Sequence, residues 1–192
     1  MNKIQIIVNN GAGTGSAVAV WKETKEYLQE NGISYNAYLT RYEKHAVKLA
    51  GQICGKIPEG PIYLLVVGGD GTINEVLNGI TDFDRVRLGV IPTGSGNDFA
   101  RNLGILRDTR EDLREITACI DQEQNGGKLQ RIDLGKVSWE GCEKPRIFGI
   151  SAGAGLDAIV CKKALHSKLK KILNRFHLGK LTYLMLTVQT LF

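Results

Sequence analysis

The chain has 192 residues, 43% apolar and 23% charged, which suits one domain of ordinary size with part of a second and excludes a disordered tail. Its 23 glycines follow no Gly-X-Y period, so collagen is excluded and turns that require glycine are expected. The net charge of +5 is local: Asp157 is the last acid, and Lys162, Lys163, Lys168, Lys170, Lys171, Arg175 and Lys180 follow it, a distribution unlike the broad basic face of a nucleic-acid-coating protein.

Ile4 to Val8 reads as a short strand that stops at the turn formers Asn9 to Ser16, and a helix is expected from about Ala17 to Glu30. Asn31-Gly32 breaks it, and the alternation of Ile33, Tyr35, Ala37 and Leu39 predicts a half-buried strand. Ala46, Val47, Leu49, Ala50 and Ile53 form one apolar face of a helix over Lys44 to Cys54. Ile62 to Val67 is uninterruptedly apolar, as in a parallel strand covered on both faces, and ends at Gly68-Gly69-Asp70-Gly71-Thr72. A helix over Ile73 to Ile80, a strand over Val86 to Ile91, the loop Pro92 to Asp98 and another helix come next. Strands alternating with helices predict an α/β domain with a parallel sheet, whose sites lie at the carboxyl ends of the strands. After a helix over Asp108 to Asp121, the polar segment Gln122 to Lys128 reads as a linker; Leu129 to Ser138 and Pro145 to Ala152 read as two β segments. The expected division is therefore an α/β domain over 1–128 and an incomplete β-rich unit over 129–192.

Cys54, Cys119, Cys142 and Cys161 form no CxxC pair, which predicts reduced thiols in a cytosolic protein. The apolar run at the amino terminus is too short for a signal-peptide core, and Leu181 to Phe192 is too short to span a bilayer. A cytoplasmic location follows as the expectation.

Three glycine loops follow three predicted strands. Gly11, Gly13 and Gly15 fit neither the P-loop nor the GxGxxG spacing, but glycine still lets backbone amides approach phosphate oxygens beside a helix amino terminus. The second loop sets the Asp70 carboxylate among glycines, where it can hold Mg²⁺ or orient a triphosphate through water, or simply cap a helix. Asn74 and Glu75, one turn into the helix, either reach a nucleotide or support the loop. Pro92 to Arg101 supplies the hydroxyls of Thr93 and Ser95, backbone amides, and Asn97-Asp98 at a helix start.

Gly68-Gly69-Asp70-Gly71-Thr72-x-Asn74-Glu75-Val76 and Pro92-Thr93-Gly94-Ser95-Gly96-Asn97-Asp98-Phe99-Ala100-Arg101 resemble the signatures of the diacylglycerol kinase catalytic-domain family, which includes bacterial lipid kinases and the sphingosine and ceramide kinases. Weaker likenesses lie at Thr40 with His45-Ala46, Ile132 to Gly135, Gly153 to Ala158, and Leu178 to Tyr183. Where the family shows Asn-Pro, this chain has Asn9-Asn10. The resemblance implies a nucleotide-binding α/β domain, similar to that of NAD kinases, followed by a β-sandwich. It implies ATP near Asn9, Gly11, Gly13, Thr40, Gly69, Gly71, Thr72, Asn74, Glu75, Thr93, Ser95 and Asn97. Asp70 and Asp98 belong to the catalytic polar network, with Asp70 and Asp133 toward Mg²⁺, and His45 is a helix-start residue rather than a base. The family's second domain also carries a late acidic motif with the look of a catalytic base; no counterpart precedes Phe192, so the resemblance implies a chain cut before its base.

The expected activity is ATP- and Mg²⁺-dependent phosphoryl transfer to a lipid hydroxyl such as that of diacylglycerol. A NAD kinase-like enzyme, sharing GGDGT, and a non-catalytic nucleotide-binding remnant are the rivals. Leu165, Leu169, Ile172, Leu173 and Phe176 place an apolar stripe among the basic residues of 162–180, which reads either as an outer face packed on the domain or as a peripheral contact with an anionic inner membrane face. No nucleic-acid partner is expected, because no aromatic stacking platform accompanies the charge. Assembly with further copies of the chain, as a homo-oligomer, is left open by the sequence.

Overall fold

A computed structural model describes residues 3–11, 16–94, 96–105, 108–126 and 129–166. The chain falls into two compact units, Met1–Ile150 and Ser151–Phe192.

The first unit is built on a four-stranded sheet of β1 (Ile4–Val8), β2 (Tyr35–Leu39), β3 (Ile62–Gly68) and β4 (Val86–Pro92), in the order β2-β1-β3-β4. Every pairing is parallel. β1 and β3 are the inner strands and are buried along their whole length, which is why both read as unbroken apolar runs. β2 is an edge strand, half-buried at best, and retains its alternation.

Because side chains alternate across a strand, β3 feeds two cores. Ile62, Leu64 and Val66 join Ile7 and Val90 beneath α2 (His45–Lys56), α3 (Asp70–Leu77) and α4 (Asp98–Asn102). Tyr63, Leu65 and Val67 join Ile4, Ile6, Val8 and Ile91 against α1 (Ser16–Glu30) and α5 (Thr109–Gln124). Each large aliphatic side chain buried this way contributes about 1.5–3 kcal/mol, so the three-layer sandwich is held chiefly by its inner strands.

The helices start where local chemistry stops water from competing for their free amides. Asp108 caps α5 conventionally, accepting from the backbone of Arg110 and Glu111. α2 and α4 have no side-chain cap of their own, and the residues before them, Lys44 and Asn97, sit at φ 65° and 54°. Their amides are satisfied from elsewhere in the fold.

The remaining strands, β5 (Gly135–Val137) and β6 (Arg146–Phe148), form an antiparallel hairpin. They are much shorter than the β segments expected over 129–138 and 145–152. α5 also extends into the expected linker, ending at Gln124. The hairpin lies within the first unit, which reaches Ile150, past the expected division at residue 128. In the second unit α6 (Leu156–His166) takes in the first two residues of the basic segment, Lys162 and Lys163. Lys168 to Lys180 lie outside the described residues, and with them the expected amphipathic helix.

Candidate functional site

The sheet order creates the site. From β1 the chain crosses to β2 on one side and then to β3 on the other, so the segments leaving β1 and β3 diverge and open a crevice at the carboxyl edge, where ligands of open α/β sheets bind. Asn9 continues β1, its backbone amide donating to the Val67 carbonyl at 2.9 Å. Its side-chain Nδ2 crosses the crevice to Thr72 Oγ1 at 2.8 Å, while its Oδ1 accepts from the Gly11 amide at 3.1 Å. A single asparagine therefore joins the loop after β1 to the start of α3.

The loops after β3 and β4 are joined even more closely. A Cβ on Gly69 would stand 3.1 Å from the Gly94 Cα, and one on Gly94 would stand 3.0 Å from the Gly69 Cα. Only two residues without side chains allow this approach. Thr93 extends the ladder by donating its amide to the Gly68 carbonyl at 3.1 Å. Asn97 folds back on Gly94, accepting from its amide at 2.9 Å and donating to its carbonyl at 2.8 Å.

Asp70 is the first residue of α3, yet its carboxylate caps α4. Oδ2 accepts from the Asp98 amide and Oδ1 from the Phe99 amide, both at 3.1 Å. The helix-cap role that the sequence left open is thus observed, exerted on the neighbouring helix. Asp98 is exposed and pairs with Arg101, whose other nitrogen donates to the Gly96 carbonyl at 2.7 Å; Arg101 so holds the loop that precedes it.

Glu75 points away from these loops. Its Oε1 accepts from the Lys44 amide at 2.9 Å and its Oε2 from the Ala46 amide at 3.2 Å, which supplies the cap that α2 lacks and is neither of the roles expected from the sequence. Asn74 donates to the Ile147 carbonyl of the hairpin at 3.3 Å. His45 is the first residue of α2; its Nδ1 accepts from the Arg41 amide at 3.1 Å and its ring stacks on Tyr42 with centroids 4.4 Å apart. Thr40 follows β2, donating its amide to the Val8 carbonyl, and lines a shallow cleft of about 640 Å³ with Tyr38, Arg41, His45 and Leu49.

The structure thus brings Asn9, Gly11, Gly69, Asp70, Gly71, Thr72, Thr93, Asn97 and Asp98 to one edge. Gly13 and Ser95 lie outside the described residues. Asp133 is exposed in the stretch before β5. Among the described residues no group of three or more His, Cys, Asp or Glu side chains is placed to hold a metal ion. Two buried polar atoms at this edge, Asn10 Oδ1 and Thr93 Oγ1, have no hydrogen-bond partner among the described residues. Sequence reasoning missed Asn78, which bonds both peptide groups of Ile147. Its only sequence signal was a polar residue at the end of an apolar helix face.

The profile of the family described as the diacylglycerol kinase catalytic domain matches residues 3–137. YtlR of Bacillus subtilis is 31% identical over 180 residues, 92% of this chain and 55% of its own. A diacylglycerol kinase of the same organism is 36% identical over 144 residues, 72% of this chain and 41% of its own. A crystal structure of a diacylglycerol kinase from Bacillus anthracis superposes with a TM-score of 0.52 at 30% identity, over 60% of this chain and 39% of that one. The chain spans about half the length of the curated relatives it matches. The two glycine signatures, the parallel sheet that sets them side by side and a match over most of the α/β unit agree: the chain belongs to the diacylglycerol kinase catalytic-domain family.

Proposed function

We propose that the whole protein is a lipid kinase that transfers the γ-phosphoryl group of ATP to a lipid hydroxyl such as that of diacylglycerol. The observation that carries this reading is the convergence, among the described residues, of Asn9 and Gly11 with the loops after β3 and β4 at an edge where Thr93 Oγ1 and Asn10 Oδ1 are buried without partners. Buried polar atoms are normally satisfied, so a polar ligand fits this edge. Gly71 adds room, since a Cβ there would meet nothing within 4 Å, and its amide lies in the first turn of α3, where the helix favours negative charge.

A magnesium ion would fit here as a largely hydrated ion held with the phosphates. Without an all-protein cage among the described residues, the ion would keep water and phosphate oxygens as most of its ligands, as Mg²⁺ commonly does, with Asp70 and Asp133 as the carboxylates that would serve it. Bound there, it would neutralise charge on the transferring phosphate. The protein's own part is positioning, which dominates phosphoryl transfer: Asn9 and Thr72 set the width of the crevice, Asp70 fixes the loop after β4 against the loop after β3, and Thr93 offers a hydroxyl.

On this reading the segment from residue 129, whose hairpin is held to α3 within the first unit, leads into a β-sandwich domain and contributes to the acceptor side. The basic residues from Lys162 to Lys180 meet an anionic membrane surface in the cytoplasm, each worth about 1 kcal/mol near such a surface. Among the described residues no helix is long and apolar enough to cross a membrane. The deciding experiment presents the whole protein with labelled ATP and, in turn, diacylglycerol, phosphatidylglycerol, undecaprenol, sphingosine and NAD. Label is expected in a lipid; label in NAD, or in no acceptor, would refute the proposal.

A further inference from the structure

α3 begins at Asp70 in the crevice and ends at Asn78, its C-cap. Asn78 is fully bonded. Its Oδ1 accepts from the Ile147 amide at 2.9 Å, and its Nδ2 donates to the Ile147 carbonyl at 2.8 Å and to the Asn74 carbonyl at 2.8 Å. Ile147 lies in β6 opposite Lys136 of β5. In an antiparallel pair the N–H and C=O of one residue point to the same side, and those of Ile147 turn to Asn78. The carboxamide therefore serves as a one-residue strand on the outer edge of the hairpin, meeting edge groups that would otherwise need a neighbouring strand or water.

Two more observations set the same contact. Asn74, one turn earlier on α3, adds a second donor to the Ile147 carbonyl. A Cβ on Gly149 would stand 2.6 Å from the Phe99 ring and 3.1 Å from Leu77 Cδ1, so the chain just past β6 lies directly against α3 and α4. Both helices start at the Asp70 carboxylate, α3 with Asp70 itself and α4 with the amides it accepts.

We propose that Asn78 is a positioning residue: by pairing with both peptide groups of Ile147 it fixes the hairpin to the far end of the helix whose first turn faces the phosphate crevice, and so sets where the acceptor stands relative to the bound nucleotide. The proposal deepens the lipid-kinase reading and rests on it. Asn78 need not touch either substrate. It acts through a rigid eight-residue helix, one end of which belongs to the nucleotide and the other to the hairpin.

The test compares Asn78→Ala, which removes both bonds, with Asn78→Asp, which keeps the acceptor for the Ile147 amide and sets an oxygen against its carbonyl. Amide exchange at Ile147 is read in the whole protein, together with the affinity for Mg·ATP and transfer to dioleoylglycerol in phosphatidylglycerol vesicles. The Ala variant is expected to exchange at Ile147 about tenfold faster, as loss of such bonds implies, and Asp to fall between Ala and the parent. Both are expected to keep Mg·ATP affinity within about twofold while the acceptor KM rises about tenfold or kcat falls comparably. Unchanged exchange at Ile147 overturns the clamp. Faster exchange with unchanged transfer, or an equal loss of Mg·ATP affinity, overturns the positioning role. If the unsubstituted protein phosphorylates no lipid, the kinase reading and the positioning role fall together, while the exchange result still decides whether the clamp exists.

Discussion

Gly69 and Gly71 stand two residues apart and face opposite demands. A methyl at Gly69 meets the backbone of Gly94 at 3.1 Å, which no rotamer can relieve. Gly69→Ala should therefore cost about 1–3 kcal/mol in chemical denaturation, the usual range for overpacking. A methyl at Gly71 meets nothing and lies in a helix, so Gly71→Ala should be neutral or stabilise by up to about 1 kcal/mol. If nucleotide phosphates approach Gly71 as proposed, the same variant should lose Mg·ATP affinity in a titration although its fold is intact. Asp70→Asn combines both kinds of effect. Neutralising the cap and setting an NH₂ against one of two amide donors should lower stability by about 1–2 kcal/mol and abolish transfer to diacylglycerol in the whole protein. Undiminished transfer would remove Asp70 from the site, whereas unchanged stability would remove it from the cap.

At the scale of elements, two helices take their caps from α3: α4 from Asp70 and α2 from Glu75. Glu75→Ala should cost about 1–2 kcal/mol, and its local signature should be faster amide exchange at Ala46, not weaker nucleotide binding. α1 and α5 are joined differently, by Arg110 reaching Glu30 at 2.8 and 3.1 Å. The Arg110 hydrogen bonds hold the Glu30 carboxyl below its ordinary range. A carboxylate with a lowered folded pKa stabilises above the unfolded value near 4.5 and loses that contribution as pH falls through the folded value. Arg110→Ala should accordingly flatten the stability profile below about pH 4.5 and leave it unaltered near neutrality apart from a constant offset. Both partners are exposed, so the effect should shrink in salt. This is also the scale at which the sequence is most and least informative. β1, β3 and α2 were legible because burial writes apolar runs and faces directly into the chain. The hairpin was legible as two β segments but not in its extent, since β5 and β6 are only three residues each and lean on α3 for an edge. The roles of Glu75 and Asn78 were equally hidden: side chains that bond another element 29 and 69 residues away leave no periodicity, and only the assembled fold reveals their partners.

For the molecule as a whole, the candidate site is a property of the sheet order and not of any one loop. Glycine signatures placed the loops after β1, β3 and β4 at strand ends from sequence alone, but the crevice between the first two follows from β1 lying between β2 and β3. A ligand that bridges them binds only the folded chain and should stabilise it by mass action, by about 2.7 kcal/mol at a concentration one hundred times its Kd. Mg·ATP should raise the thermal midpoint in proportion to the logarithm of its concentration, and Thr93→Val, which removes the unpartnered hydroxyl, should reduce that rise without lowering the midpoint of the free protein.

The Asn9 to Thr72 bond spans 63 positions of sequence, with α1, β2 and α2 lying between its ends, and it requires β3 to stand beside β1. Contacts so distant in sequence are the slow ones in folding. Nucleotide binding should therefore be among the last properties regained on refolding, trailing the recovery of helical signal, and a fluorescent ATP analogue added during refolding would time the moment at which the central pair of strands closes.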